Sequence, residues 1–299
     1  MNAQELQRLL QSSPPPQLIQ VLPEEIYAAA HIPGARNACV YEMTFVDQVR
    51  ALISDPSACL IVYGAGDGSI DAATAVEKLR AGGYAHVQDF AGGLAEWKAA
   101  GLPLEGSGNL PHAAVPDGEF RVDTEQSVVR WTGRNLFNHH SGTVKLASGE
   151  IRLARGELVS AGFVIEMGSI ACEDLTDPAY NGMLIAHLRS ADFFDVERHP
   201  TARFVAKTVE KIHSCTDGTP NYRLKGEFTL RGVTRPLEFP AVIAAAEDGR
   251  RVTGQAQFEL DRTEYGSQYG SGKFFRFLGK HVVNDCIHLH IKIHADSVA

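Results

Sequence analysis

"YRLKGEFTLRG", residues 222–232, alternates along most of its length. Tyr222, Leu224, Phe228 and Leu230 fall on one side of an extended chain, and Arg223, Lys225, Glu227, Thr229 and Arg231 on the other. Strand side chains point to opposite faces with a period of two. The stretch therefore predicts a strand with one apolar and one wet face, the mark of an antiparallel sheet. The same pattern spreads outward from it. "VTGQAQFELDR" (252–262) sets Val252, Ala256, Phe258 and Leu260 against Thr253, Gln255, Gln257 and Glu259. "CIHLHIKIHA" (286–295) sets Ile287, Leu289, Ile291 and Ile293 against His288, His290, Lys292 and His294. Upstream, "VSAGFVIEM" (159–167) gathers Val159, Ala161, Phe163, Ile165 and Met167 on one face, and "VVRWTG" (128–133) alternates too. One short helical interruption is predicted near "GMLIAHLRSADFF" (182–194), with Asp192 capping a turn ahead of the Phe pair.

So many one-sided strands predict an all-β antiparallel barrel or sandwich. The inward set is Val129, Trp131, Val159, Phe163, Ile165, Phe204, Leu224, Phe228, Phe258 and Leu289. An eight-stranded barrel either fills with side chains or holds one ligand. Periodicity does not separate the two. Gly162, Gly226 and Gly254 fall within strands, where glycine marks a bend or a close approach.

"GLPLEGSGNLPHAAVPDGEF" (101–120) is crowded with Gly and Pro and breaks the pattern. The expected organisation is a first domain over 1–107, a linker over 108–118 and the barrel over 119–299. Before the linker, apolar runs alternate with Ala-rich helical patterns: "QLIQVL", "EEIYAAAHI", "FVDQVRALI", "CLIVY", "DAATAVEKLRAGG", "AHVQDF", "GLAEWKAAG". That is a β/α alternation, which predicts a parallel sheet flanked by helices. The 299-residue chain carries a net charge of −8, which argues against a nucleic-acid partner and against docking on anionic lipid by charge. No apolar run is long enough for a membrane helix. The first residues, "MNAQELQRLLQSS", do not read as a signal peptide. The five Cys are scattered without a CxxC pair, which suits reduced thiols. Cytoplasm is the expected location.

The barrel segment resembles the YceI-like family over 120–295. The resemblance rests on "FRVDTEQSVVRW" (120–131), "FVIEMGSIACEDL" (163–175), "HLRSADFFDVERHPTARF" (187–204), "YRLKGEFTLRGVTRPLEF" (222–239) and "FELDRTEYGSQYGSG" (258–272). It implies a lipocalin-like barrel that holds a long isoprenoid lipid, a quinone or polyprenyl chain, in an apolar tunnel. It implies no catalysis and no cofactor beyond that lipid, and it suggests a homodimer. Exported members of the family are well known, and this chain departs from them in its leader and its fused first domain.

The first domain resembles the rhodanese-like family over roughly 15–105, on "AAAHIPGARN" (28–37), the unit "LIVYGAGDGSIDAATAVEKLRAGGY" (60–84), "AGGYAHVQDFAGGLAEW" (81–97) and "AAGLPLEG" (99–106). Active members carry a Cys where this chain has Gly64 and commonly an Arg where it has Ser69. Their usual Asp–Val–Arg element is here Gln20, Val21 and Leu22. Persulfide transfer needs a thiolate, so the resemblance implies the fold without the activity, as an inactive sulfurtransferase module that docks a protein partner. Cys59, inside an apolar strand, is expected to be buried. The loop's N–H groups could cradle a small anion, and Asp67 works against that.

Three further groups are candidates. "YGSGKFFRFLGKH" (269–281) mixes Phe274, Phe275 and Phe277 with Lys273, Arg276 and Lys280. It is either a loop at the barrel mouth that touches a head group or membrane, or a cover for the barrel end or a dimer contact. His187 is either a head-group ligand or a locally hydrogen-bonded structural side chain. Twelve His raise the question of a metal, with His288/His290 and His139/His140 the pairs to weigh; no metal is expected. "GSQYG" (266–270) lacks the serine of a nucleophile elbow. Two rival readings stay open: an enzyme with a site between the domains, and a scaffold with a solid barrel.

Overall fold

The computed structural model describes residues 1–108, 115–246 and 248–298. The chain divides into two compact units, Met1–His112 and Ala113–Ala299. Residues 109–114 of the expected linker lie outside the described residues.

The first unit runs α1 (Ala3–Leu10), β1 (Gln17–Gln20), α2 (Glu24–Ala29), β2 (Arg36–Asn37), α3 (Phe45–Leu52), β3 (Cys59–Tyr63), α4 (Asp71–Ala81), β4 (His86–Phe90) and α5 (Gly93–Ala99). The strands form a parallel sheet in the order β2-β1-β3-β4. Central β3 is apolar because helices cover both sheet faces. Leu60 and Val62 join Ile19, Val49 and Leu79 in one core. Ile61 and Tyr63 join Leu6, Phe90 and Trp97 in the other. Cys59 corrects an expectation: it is exposed. It is the first residue of β3, at the end of the strand.

The second unit runs β5 (Gly118–Val122), β6 (Val128–Arg134), β7 (His139–Ala154), β8 (Glu157–Cys172), α6 (Pro178–Arg189), β9 (Thr201–Lys211), β10 (Tyr222–Leu230), β11 (Val233–Ala245), β12 (Arg251–Asp261) and β13 (Cys286–Ser297). Neighbours pair antiparallel, and β12–β13 with β7–β6 close the ring. β5 and β6 both pair with β7 and β13 at different heights. They share one position, so the barrel is closed with eight strands. Its inner face carries one continuous apolar cluster. Its outer face carries ion pairs across β9, β10 and β11, among them Arg223–Glu238 at 2.8 Å and Lys225–Glu210 at 2.8 Å. Such exposed pairs add little to stability, because water screens them.

Two details depart from the sequence reading. The β7–β8 register shifts between Arg152 and Leu153, where Arg152 faces Ser160 and Leu153 faces Leu158. This bulge puts Leu158 and Ala161 inside and turns Val159 out, 39% exposed. A strict period of two does not survive an extra residue. The helical interruption begins and ends earlier than expected, and Asp177 caps it by accepting from Ala179 N at 2.8 Å. Asp192 lies in the turn over 191–194 that follows α6, exposed ahead of the Phe pair.

Candidate functional site

The barrel interior holds two apolar chambers, with cavity volumes of about 70 Å³ and about 110 Å³. Water needs only about 10–15 Å³ of such space, so the centre is not solid. The chambers adjoin at Val129, Ile165, Phe228 and Leu289, which wall both, and together they are the bore. Phe163, Phe204, Leu224 and Phe258 line the first chamber, and Trp131 lines the second. Val159, from the same predicted set, faces out. Sheet register explains the clustering. Phe204 sits opposite both Phe163 and Phe228, and Leu289 opposite both Phe258 and Trp131. Phe239 stacks on Phe258 at 4.5 Å and narrows the bore. Gly226 lets the Phe204 ring in: a side-chain carbon there would lie 2.8 Å from it. The polar lining is confined to Gln255, Arg262 and Asn284.

Arg262 is the residue the sequence reading missed. It is fully buried, and four backbone carbonyls take up its guanidinium: Asn284 at 3.1 Å, Ser267 at 2.5 Å, Tyr269 at 2.8 Å and Val283 at 3.2 Å. The Phe193 ring lies under it at 4.9 Å. Burial pulls its pKa below the ordinary arginine value, opposed by the negative charges of Asp285 and Asp261. With its N–H groups so occupied, Arg262 holds the 266–284 loop to the barrel end. It is not placed to receive an anion. An arginine directly after the strand "FELD" was the available signal.

A groove adjoins the second chamber, sharing Trp131, Gly133, Leu188, Phe193 and Val283 with it, and Asn138, Lys280 and His281 border it. This is the mouth. His187 lines it with its ring edge-on to Tyr269 at 4.5 Å and to Phe193 at 5.6 Å. Aromatic packing holds this side chain, in place of the expected local hydrogen bond. Lys273 is bound to Asp261 and, at 3.4 Å, to Asp285. Phe274, Phe275 and Phe277 are exposed, as is Arg276, so these rings do not cover the barrel end within this chain.

In the first unit, the loop after β3 is built around a carboxylate. Asp71, 3% exposed at the start of α4, accepts from Ala65 N at 2.9 Å, Ser69 Oγ at 2.9 Å and Ala72 N at 2.7 Å. The helix N-terminus, where an outside anion would sit, is occupied by the chain's own side chain. A side-chain carbon at Gly64 would lie 2.1 Å from Asp71 Oδ1. Asp67, weighed earlier against anion binding, is exposed on the loop with φ +50°; Asp71 is the carboxylate that fills the cradle. Gln20, in place of the family's acidic residue, is buried and donates to Ala30 O at 2.9 Å.

Among the described residues, one group has metal-ligand geometry. His140 Nδ1, Cys172 Sγ and an Asp174 oxygen lie within 4.8 Å of one another. Here they are hydrogen-bonded together: Asp174 meets His140 at 2.9 Å and Cys172 at 3.3 Å, and accepts from Ser141 N at 2.7 Å. Partial burial raises the Asp174 pKa, and the bonds from Ser141, His140 and Cys172 outweigh it and bring it to about 2. Burial also pushes the Cys172 thiol up, so it is not an activated nucleophile. His288 pairs with Glu259 at 3.3 Å on the outer face, outside this group.

Comparison with known proteins gives two matches along the chain. Residues 120–295 match the YceI-like domain, and residues 2–100 match the rhodanese-like domain. A UPF0312 protein of Pectobacterium atrosepticum is 36% identical over 77 residues, 26% of this chain and 37% of that protein. The chain thus spans little more than a third of that relative's length. Among solved structures, Burkholderia cenocepacia BcnA is 20% identical with a TM-score of 0.45, over 58% of this chain and 98% of that one. A polyisoprenoid binding domain from Saccharophagus degradans is 12% identical with a TM-score of 0.44, over 60% and 98%.

Proposed function

This chain belongs to the YceI-like domain family, and on that premise we propose that its barrel carries an uncharged, slender apolar chain of the isoprenoid type, a quinone or polyprenyl tail. The observation that carries the proposal is the bore: two adjoining chambers walled by apolar side chains, whose one charged neighbour is already satisfied by carbonyls. Each buried CH₂ contributes about 0.8 kcal/mol. An ionised carboxylate or phosphate inside the bore would lose its hydration with nothing to replace it. A charged head must stay at the mouth, and the narrow chambers favour a thin chain over fused rings. Loading a long tail then requires the Phe239–Phe258 stack to part.

The rhodanese-like unit is a non-catalytic module in this reading, suited to docking a protein partner. Its nucleophile position is Gly64 and its anion cradle is filled by Asp71. The five unpaired thiols fit a reducing compartment, so cytoplasm remains the proposed location. Organic extraction and native mass spectrometry of the purified full chain test the carrier. We expect a co-purifying neutral isoprenoid, or uptake of an added quinone or polyprenol. Neither, under conditions where the barrel is folded, overturns it in favour of a scaffold. Thiosulfate:cyanide sulfurtransfer should be absent; turnover at the rate of an active enzyme would overturn the non-catalytic assignment.

A further inference from the structure

The exposed apolar side chains of the barrel unit are not scattered. Apart from Val115, Val159 and Val298, every exposed large apolar side chain described there lies on three segments. These are the turn with Leu136 and Phe137, helix α6 with Tyr180 and Met183, and the loop with Tyr269, Phe274, Phe275 and Phe277. All three border the groove that adjoins the bore, through Asn135 and Asn138, Leu184 and His187, and Lys280 to Val283. The bridge between Asn135 and Val283 joins the first segment to the third. Phe277 is fully exposed, and Phe137 is 77% exposed. A monomer in water does not gather such side chains without a use for them.

The charge pattern says what they meet. Neither 133–141 nor 266–284 contains an Asp or Glu, in a chain of net charge −8. Of the nearby carboxylates, Asp261 and Asp285 are paired with Lys273, Asp174 with His140 and Glu173 with Arg130, while Asp192 and Glu264 stand exposed beside the groove and the loop. Arg134, Arg276 and Lys280 have no acidic partner among the described residues. Basic side chains interleaved with protruding aromatics match a bilayer with anionic head groups: the cations meet phosphates and the rings enter the acyl boundary.

We propose that the mouth rim is a docking face for an anionic lipid bilayer, which sets the bore against the membrane so that a tail passes between them without crossing water. The purpose rests on the carrier reading, but the docking does not, because vesicle binding needs no cargo. The test is flotation of the full chain with phosphatidylcholine vesicles, with and without phosphatidylglycerol. Binding is expected to anionic vesicles and to weaken by about tenfold on neutral ones or in high salt. The variant Phe274→Ser/Phe275→Ser/Phe277→Ser is expected to lose about tenfold or more. Arg276→Gln/Lys280→Gln should abolish the preference for phosphatidylglycerol. All these side chains are exposed, and an unchanged melting temperature checks that the fold is intact. Absence of vesicle binding, or binding indifferent to both variants, overturns the proposal. So does a dimer that the serine variant converts to monomer while vesicles fail to compete, since the rim would then meet a second copy. A chain that takes up a polyprenol in detergent yet ignores vesicles removes the docking face and leaves the carrier. One that docks but never holds a lipid does the reverse.

Discussion

The loop from Gly64 to Asp71 and the bore of the barrel are both places where a fold leaves room for a small molecule, and the chain treats them in opposite ways. In the loop, a short acidic side chain folds back and takes the backbone N–H groups and the helix terminus. In the barrel, the apolar side chains meet around the axis without filling it. The two outcomes follow from the cost of what could fill each site. A polar cradle is satisfied by a single carboxylate, three hydrogen bonds at once. An apolar bore is closed only by more side-chain volume from several strands, each matched to its neighbours. One substitution can silence the first kind of site; the second resists.

The largest effect expected belongs to the one buried charge that shapes the mouth without filling it. Arg262→Leu leaves four carbonyls without their donor. We expect a loss of about 3–5 kcal/mol, read from urea denaturation, and early hydrogen exchange in 266–284. Stability within about 1 kcal/mol of the wild type would show that the loop is held by its own packing.

Plugging the bore comes next. Ala241 and Ala256 line the first chamber, and Ala241→Phe with Ala256→Phe would convert the barrel to the filled kind. Neutral-lipid occupancy by native mass spectrometry should fall about a hundredfold, equal to about 2.7 kcal/mol. The fold should be retained, because overpacking costs only about 1–3 kcal/mol and space is available. Unchanged occupancy would place the ligand outside the bore and undo the contrast.

The reverse operation applies to the loop. Gly64→Cys restores the family's nucleophile but drives it into Asp71, 2.1 Å away. It should destabilise the chain by about 1–3 kcal/mol and give no sulfurtransfer. Asp71→Gly alone should also cost about 1–3 kcal/mol, for the donors left unpaired. The double variant should lose less than the sum of the two, because removing the Asp71 side chain relieves the clash at position 64 while its donors stay unpaired. A coupling of this sign in a double-mutant cycle is the measurement; strict additivity would show that the two positions do not share the cradle.

How much of this was legible in the sequence depended on whether a pattern or a fit was being read. The strands around Tyr222, Val252 and Ile287 follow from alternation, and each places its apolar set inward. The β/α order of the first unit follows from its apolar runs in the same way. Val159 was misplaced because a bulge in a 16-residue strand resets the phase, and one chain's pattern does not show its partner's register. Cys59 was misplaced because an apolar neighbourhood in sequence says nothing about where a sheet ends. Asp71 escaped notice because its role depends on a backbone fold that brings residue 65 over residue 71. Arg262 was hidden likewise, since its four partners lie 5 to 22 residues away. Whether the bore is open was beyond periodicity altogether, which reports which side chains point inward and not how far they reach.

Asp174 gives the smallest and finest test of the contrast, because it ties a loop as Asp71 does but in partial contact with solvent. Its pKa in the folded chain is about 2, below the ordinary 3.8. A group lowered in this way is more readily protonated in the unfolded chain. It therefore stabilises the fold above about pH 4, and the contribution is lost as pH falls from there through about 2. The side chain is about a third exposed, 32%, so screening keeps the effect below about 1 kcal/mol. Asp174→Asn should make stability less dependent on pH between about 4 and 2 and lower it by less than about 1 kcal/mol at neutral pH, where the wild-type contribution is fully present. Urea midpoints at stepped pH measure it. An acid limb as steep in the variant as in the wild type would mean that other carboxylates govern it and that the His140–Cys172–Asp174 contacts add nothing to holding β7 and β8 together.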